Sequence, residues 1–410
     1  MFFLKAIFWT LVLGVSAEDD FYPHGGCPEP KKRMDIISCA LTLHPALQKG
    51  ELKLETAKSH FAKASQIPNP QLQTRFVRNG GDNSSELETS LNFTLELGGK
   101  RHARKQRAMA LADLAKADNE DLKAHVKIQT ILNLYRLRQL GEEVKLVKEA
   151  DLAFKKVIMS LKKRPRLNAE QEAALTLFEM AYEENKVLGA ELHEEERSLE
   201  HFFHVVTGHE LKEIKEFLPK YSSQWPILTG ERQGESPKLA KLKKKVKLAY
   251  KDLEIQKSQV WPDMKIGPAM LIEKEGPREV RMVGLNLTMP LPVLSQNRGG
   301  RLTAQSEVVR AQKTVLLEDE LEEHERFEQL RIYESAVTIL KKSISPLLLE
   351  KKQRKIERLY MRGVVSSSLF LDSLKQKLSY FKLRNKRELK ALSALWEIYR
   401  FDGKVLKEEI

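Results

Sequence analysis

Between Glu86 and Leu97 apolar and polar residues alternate. Leu87, Thr89, Leu91, Phe93, Leu95 and Leu97 point one way, and Glu88, Ser90, Asn92, Thr94 and Glu96 the other. That is the period of a strand with one apolar and one polar face. Gly98-Gly99 breaks the pattern, and a polar, helix-forming segment begins at Lys100. The same order returns further on. Val283, Leu285, Leu287, Met289, Leu291 and Val293 alternate with Gly284, Asn286, Thr288 and Pro290, and Gly299-Gly300 then precedes Arg301 and a second long helix. A strand feeding a long helix, used twice, is the plan of the chain.

The rest of the sequence fits around these two units. Residues 18–34 are rich in glycine and proline and read as an extended tail. A first repeat spans 35–206: a helix ended by Pro68 and Pro70, a hairpin over 71–97 turning at Asn79-Gly80-Gly81-Asp82-Asn83, a long helix over 100–164 and a return helix over 168–206. The long helix has no proline, and roughly 63 residues at about 1.5 Å each give ~95 Å, more than an ordinary globular domain holds. Asn168 followed by Gln171 has the form of a capping box at the return. Residues 207–236, punctuated by Gly208, Pro219, Pro226, Gly230 and Gly234, read as a linker. A second repeat follows over 237–402, with a helix, a hairpin over 264–293, a long helix over 301–362 kinked at Pro346, and a return over 366–400. Residues 403–410 form a C-terminal tail.

Matched fragments support a duplication. Pro45-Ala46-Leu47 matches Pro237-Lys238-Leu239 at an offset of 192, and Ser65-Gln66 matches Ser258-Gln259 at 193. Leu91-Asn92-Phe93-Thr94 matches Leu285-Asn286-Leu287-Thr288 at 194, and Gly98-Gly99-Lys100 matches Gly299-Gly300-Arg301 at 201. Four matches in order with a growing offset describe a repeat, with seven extra residues expected between Pro290 and Arg298 of the second copy.

Composition changes this picture only in part. The 410 residues are 31% charged and 7% aromatic, which suits long solvated helices. The net charge of +13 is spread among acidic residues along those helices, so a solvated surface is favoured over nucleic-acid binding. Residues 1–17 carry Lys5, an apolar run and Val15-Ser16-Ala17, the form of a cleaved export signal. In an exported chain Cys27 and Cys39 can form a disulfide, which spacing alone leaves open. No later apolar run reaches the length of a membrane-spanning helix. A membrane reading therefore requires a closed β-barrel. Four strands cannot close one, but several chains can share it. Strands with an apolar outer row and a polar inner row fit such a barrel. They also fit a soluble sheet on a core, so a soluble, exported, periplasmic coiled-coil scaffold or adaptor is the competing reading.

The paired segments LNFTLELGGKRHARKQRA and VGLNLTMPLPVLSQNRGGRLTAQ, together with YMRGVVSSSLFLDSLKQKLSYFK at 360–382, resemble the TolC-like outer membrane efflux proteins. LELGGKR is most similar to the CzcC-type heavy-metal branch. The resemblance implies a mainly α fold with a small β part. Long α-helical hairpins would form a trimeric α-barrel tunnel, and four strands per chain would join a twelve-stranded outer-membrane β-barrel. It further implies a homotrimer in the cell outer membrane with its helices in the periplasm. That trimer is a passive conduit without cofactor or catalysis, joined to an inner-membrane pump by a periplasmic adaptor. The lipid-facing row would then be Leu91, Phe93, Leu95, Leu285, Leu287 and Met289, and the strand-to-helix breaks Gly98, Gly99, Gly299 and Gly300. Asp372 falls where the family places an acidic periplasmic gate, which three copies would turn into a cation-favouring ring. The family's second aspartate would fall at Leu369 and is absent. The turns at Arg164, Pro165, Arg166 and at Gly363, Val364, Ser366 would meet the adaptor.

Other signals carry less. His201 and His204, with His193, His209 and Glu194–Glu196 nearby, suggest a metal site, but spacing places no third ligand. The basic run Lys238–Lys251 reads as a solvated helix face. No motif of a hydrolase, metalloprotease, nucleotide-binding or dinucleotide-binding enzyme occurs. The cargo is not legible, because selection belongs to the pump.

Overall fold

The structure, a computed structural model, describes residues 27–81, 84–221, 224–294 and 296–409. The export signal and the first part of the extended tail lie outside the described residues. The elements in order are α1 (Arg33–Leu43), α2 (Pro45–Ser65), β1 (Gln71–Arg78), β2 (Ser85–Leu95), α3 (Lys100–Lys162), α4 (Ala169–Thr207), α5 (Leu211–Lys215), α6 (Pro237–Ser258), β3 (Met264–Glu275), β4 (Arg278–Thr288), α7 (Arg298–Lys342), α8 (Pro346–Met361) and α9 (Ser367–Phe401).

The strands make one antiparallel sheet in the order β1-β2-β3-β4. Each hairpin belongs to one repeat, and the β2–β3 pairing joins the repeats. Starts of β1 and β3 differ by 193, as do starts of β2 and β4. That lies within one residue of the offset of 194 that puts Asn92 and Asn286 on one face. Helices α3 and α7 start 198 apart, as do α4 and α9. The connection into α3 has four residues, 96–99, and that into α7 has nine, 289–297. The second copy therefore gains five residues there rather than the expected seven, because Arg298 and Gly299 are already helical.

The helices form a wall one helix thick. Next to the sheet the row runs α2-α3-α6-α7, and farther away it runs α4-α3-α9-α7, with α8 also on α9. The 63-residue α3 crosses both rows. Its buried alanines, among them Ala103, Ala108, Ala110, Ala115 and Ala117, let the neighbouring helices approach closely. The Asn168–Gln171 capping box is formed, with Asn168 Oδ1 accepting from Gln171 N at 2.8 Å.

Three expectations are corrected. The strand expected to reach residue 293 ends at Thr288, since Pro290 and Pro292 cannot donate to a ladder. The second long helix is interrupted rather than kinked. Ser343 to Ser345 leave the helix, Ser345 caps α8 through Leu348 N, and Pro346 takes the first helical position, where no N–H is needed. Tyr380 donates to the freed Ile344 carbonyl at 2.9 Å. The linker 207–236 contains α5 and is tied into the core.

The core lies at mid-length, where α1, α3, α4, α5, α9 and Val405 of the C-terminal tail converge. A second cluster joins α7 to α9. A third, at the end distant from the sheet, joins α3 and α4 to α9, with α8 against it.

Candidate functional site

The sheet is amphipathic in register. Cross-strand pairs align Leu72 with Leu91, Phe76 with Leu87, Phe93 with Ile266, and Ile266 with Leu287. One face thus carries a continuous apolar row that includes Leu91, Phe93, Leu95, Leu285 and Leu287, all exposed. Met289 lies past the end of β4 and is exposed as well. The opposite face is polar at the end near the helices, while Val77, Leu271, Val280 and Met282 stand on it farther along. Asn92 and Asn286 sit on β2 and β4 either side of Gly267, and Asn286 Nδ2 donates to Asn92 Oδ1 at 3.2 Å across it. Asn92 Nδ2 in turn donates to Ser90 Oγ at 3.1 Å. Lys265 Nζ donates to Gln71 Oε1 at 2.8 Å on the same face. Gly267 has no room for a side chain, because a Cβ there would overlap the Leu91 carbonyl.

The first strand-to-helix break is glycine-built. Gly98 and Gly99 both have φ +71°, and a Cβ on Gly98 would come within 2.7 Å of the Trp261 Cβ. The second break differs from expectation. Gly299 and Gly300 lie in the first turn of α7, and the left-handed residue is Asn297 at φ +50°. Asparagine tolerates that conformation because its side chain can bond locally. Here it donates to Gln256 O and Oε1, both at 2.9 Å. A Cβ on Gly300 would meet Asn297 Oδ1 and Gln256 Oε1, both ends of flexible side chains that can give way.

At the far end the two turns come together. Leu161 and Phe178 beside the first share the third cluster with Phe370 and Leu371 beside the second, and Tyr360 stacks on Phe370 at 4.4 Å. Arg164, Pro165, Arg166, Gly363, Val364 and Ser366 are all exposed. Gly363 turns at φ +73°, and Ser366 caps α9. Asp372 is exposed in the first turns of α9. Lys377, one and a half turns on and buried, bridges Glu350 of α8 at 2.7 Å and Glu149 of α3 at 3.2 Å. Its hydrogen bond holds the Glu350 carboxyl below its usual range.

Sequence reasoning missed the charges buried at mid-length. Arg138 is paired with Glu388, and Gln139 donates to the same carboxylate at 2.9 Å. Arg136 bridges Glu143 and Glu195. Tyr221, from the linker, donates to Glu142 and lies under both Arg138 and Arg384. Burial pushes the Glu142 carboxyl up, against the pull of that hydrogen bond. Arg326 binds Asp402 at 2.8 Å and the carbonyls of Gly230, Thr229 and Glu231. Lys127, its charge disfavoured by burial, donates to Glu408 O at 2.7 Å and pins the tail. In sequence these residues look like the solvated face of a helix, and for Arg138 and Gln139 the buried partner, Glu388, lies some 250 residues later.

Cys27 and Cys39 are joined, which fastens the end of the tail to α1. Among the described residues no group of three His, Cys, Asp or Glu could hold a metal ion. His209 instead pairs with Glu213 and His193 with Glu196. Lys241 and Lys247 of the basic run are paired with Asp121 and Asp113. No helix among the described residues is long and apolar enough to cross a membrane.

No known family profile matches the chain. It is 24% identical over 274 residues to the cobalt-zinc-cadmium resistance protein CzcC of Cupriavidus metallidurans, a match covering 64% of this chain and 63% of that protein. Among solved structures, the CmeC outer membrane channel of Campylobacter jejuni superposes with a TM-score of 0.67 at 13% identity, over 90% of this chain and 85% of that one. CusC gives 0.67 at 13%, over 93% and 94%. The outer membrane protein VceC of Vibrio cholerae gives 0.66 at 13%, over 90% and 95%.

Proposed function

We propose that this chain, which has the fold of the TolC-like outer membrane channels, is one third of a passive efflux conduit through the outer membrane and periplasm. The observation that carries this reading is the unbroken apolar row over all four strands, standing above a wall one helix thick. A sheet with an exposed apolar face and two open edges is unstable in water. Three copies paired edge to edge close it. The apolar row then meets lipid, and Ser90, Asn92 and Asn286 meet the lumen. The helical walls close in the same way into a periplasmic tunnel. No step of chemistry is needed, and the driving force lies in an inner-membrane pump reached through a periplasmic adaptor.

The exposed turns at 164–166 and 363–366 are the adaptor contacts, and Asp372 is the periplasmic gate. Three Asp372 carboxylates around a narrow tip attract cations and repel anions. The likeness to a cobalt-zinc-cadmium resistance protein supports heavy-metal cations as cargo.

Envelope fractionation, followed by gel migration of unheated and heated protein in detergent, tests this reading. An outer-membrane trimer that dissociates on heating is the expected result. A soluble periplasmic monomer or dimer would leave the chain a helical scaffold. In planar bilayers Asp372→Ala should lower cation selectivity, and an unchanged reversal potential would remove the gate role.

A further inference from the structure

Residues 289–294, Met-Pro-Leu-Pro-Val-Leu, follow β4 in a connection five residues longer than its four-residue counterpart in the first repeat. Leu291 is 71%, Val293 76% and Leu294 99% exposed. We infer that this segment inserts into the periplasmic leaflet of the outer membrane and completes the lipid-facing band beneath β4, an inference that rests on the barrel reading above.

Length is the first argument. On β2 the outward row is free of charge from Leu87 to Leu95, where the strand ends, and ~3.3 Å per residue tilted by ~40° gives about 23 Å of height, close to the ~25 Å apolar band of such barrels. On β4 the outward position Arg281 ends the row, and the strand stops at Thr288. Val283 to Thr288 then covers only about 15 Å by the same measure. The shortfall of about 10 Å is what six extended or turned residues can cover. The segment carries no charge, and the first charged residue after it is the exposed Arg298.

Its backbone suits the same place. A peptide N–H without a partner is costly in lipid. Pro290 and Pro292 have none, and Val293 N is bonded to Leu291 O at 2.9 Å. The base of the segment is fixed by Asn297, whose side chain is bonded to Gln256 O and Oε1 of α6. Trp261, three residues before β3 and 60% exposed, lies at the same end of the sheet, and tryptophan is favoured at a membrane–water boundary.

The test uses the full-length protein in liposomes. The native cysteines are joined, so Leu294→Cys and, separately, Leu285→Cys each give one thiol for a polarity-sensitive fluorophore. The lipids carry nitroxide quenchers either near the glycerol or near the chain end. The expected result is a blue shift and loss of emission at position 294 with the shallow quencher, and loss at position 285 with either. Quenching at 285 but not at 294 overturns the insertion and keeps the barrel. A blue shift at 294 without quenching also overturns it and assigns the segment to the neighbouring chain. Failure at 285 overturns the barrel reading and the inference with it.

Discussion

Gly267 sits where two side chains must meet across an intervening strand. With hydrogen at its Cα, Asn92 and Asn286 reach each other at 3.2 Å, and the Leu91 carbonyl occupies the space of a Cβ. We expect Gly267→Val to abolish the heat-sensitive oligomer on unheated gels while leaving the helical circular dichroism largely intact. Arg326 poses a different residue-scale problem. It is buried and holds Asp402 and three linker carbonyls at once. Arg326→Met leaves a buried carboxylate and carbonyls without a donor, and removal of one partner of a buried pair costs about 3–5 kcal/mol. The expected outcome is a large drop in unfolding temperature, measured by circular dichroism in detergent. Asp402 and Arg326 read as ordinary surface charges in the sequence, because nothing local distinguishes a charge that later meets its partner from one that meets water.

At the scale of elements, α8 is a separate rod held to α9 and α3 through Lys377. The Glu350 carboxyl is depressed below its ordinary value of 4.5, first by the Lys377 hydrogen bond and then by the attraction of that ammonium. A depressed carboxyl contributes stability that is fully present above about 4.5 and is lost as pH falls through the lowered value. Acidification below pH 4.5 should therefore loosen the tip. Hydrogen exchange in α8 should rise there in the wild type, and Glu350→Gln should already be loose at neutral pH, with a smaller acid response. Equal acid sensitivity of the two proteins would count against this account. The long α3, the return at Asn168 and both hairpins were legible beforehand, because period and cap chemistry are local. The break at Asn297 was not. Gly299-Gly300 is the more conspicuous signal, yet helix geometry absorbs it, and side-chain bonds to Gln256 hold an asparagine in the left-handed region instead.

For the whole molecule, the open edges of the wall matter most. Helix α7 exposes Leu302, Leu316 and Leu317 at one side, and α2 exposes Leu52 and Phe61 at the other. Rows of this kind pair when copies associate around an axis. A Leu316→Asp, Leu317→Asp double variant should keep its helical content but migrate as a monomer in detergent. Persistence of the trimer would place the main contacts in the barrel alone.

Period and repeat alone carry the amphipathic strands, the long α3, both helix returns and the duplication, because none of these needs a distant partner. The resemblance to outer membrane channels followed from the order of those pieces. The fold alone sets which charges are buried, where α7 begins, and that Arg326 locks Asp402 to the linker. Those features depend on contacts between residues scores to hundreds of positions apart. Their energy comes from a partner the local pattern does not specify.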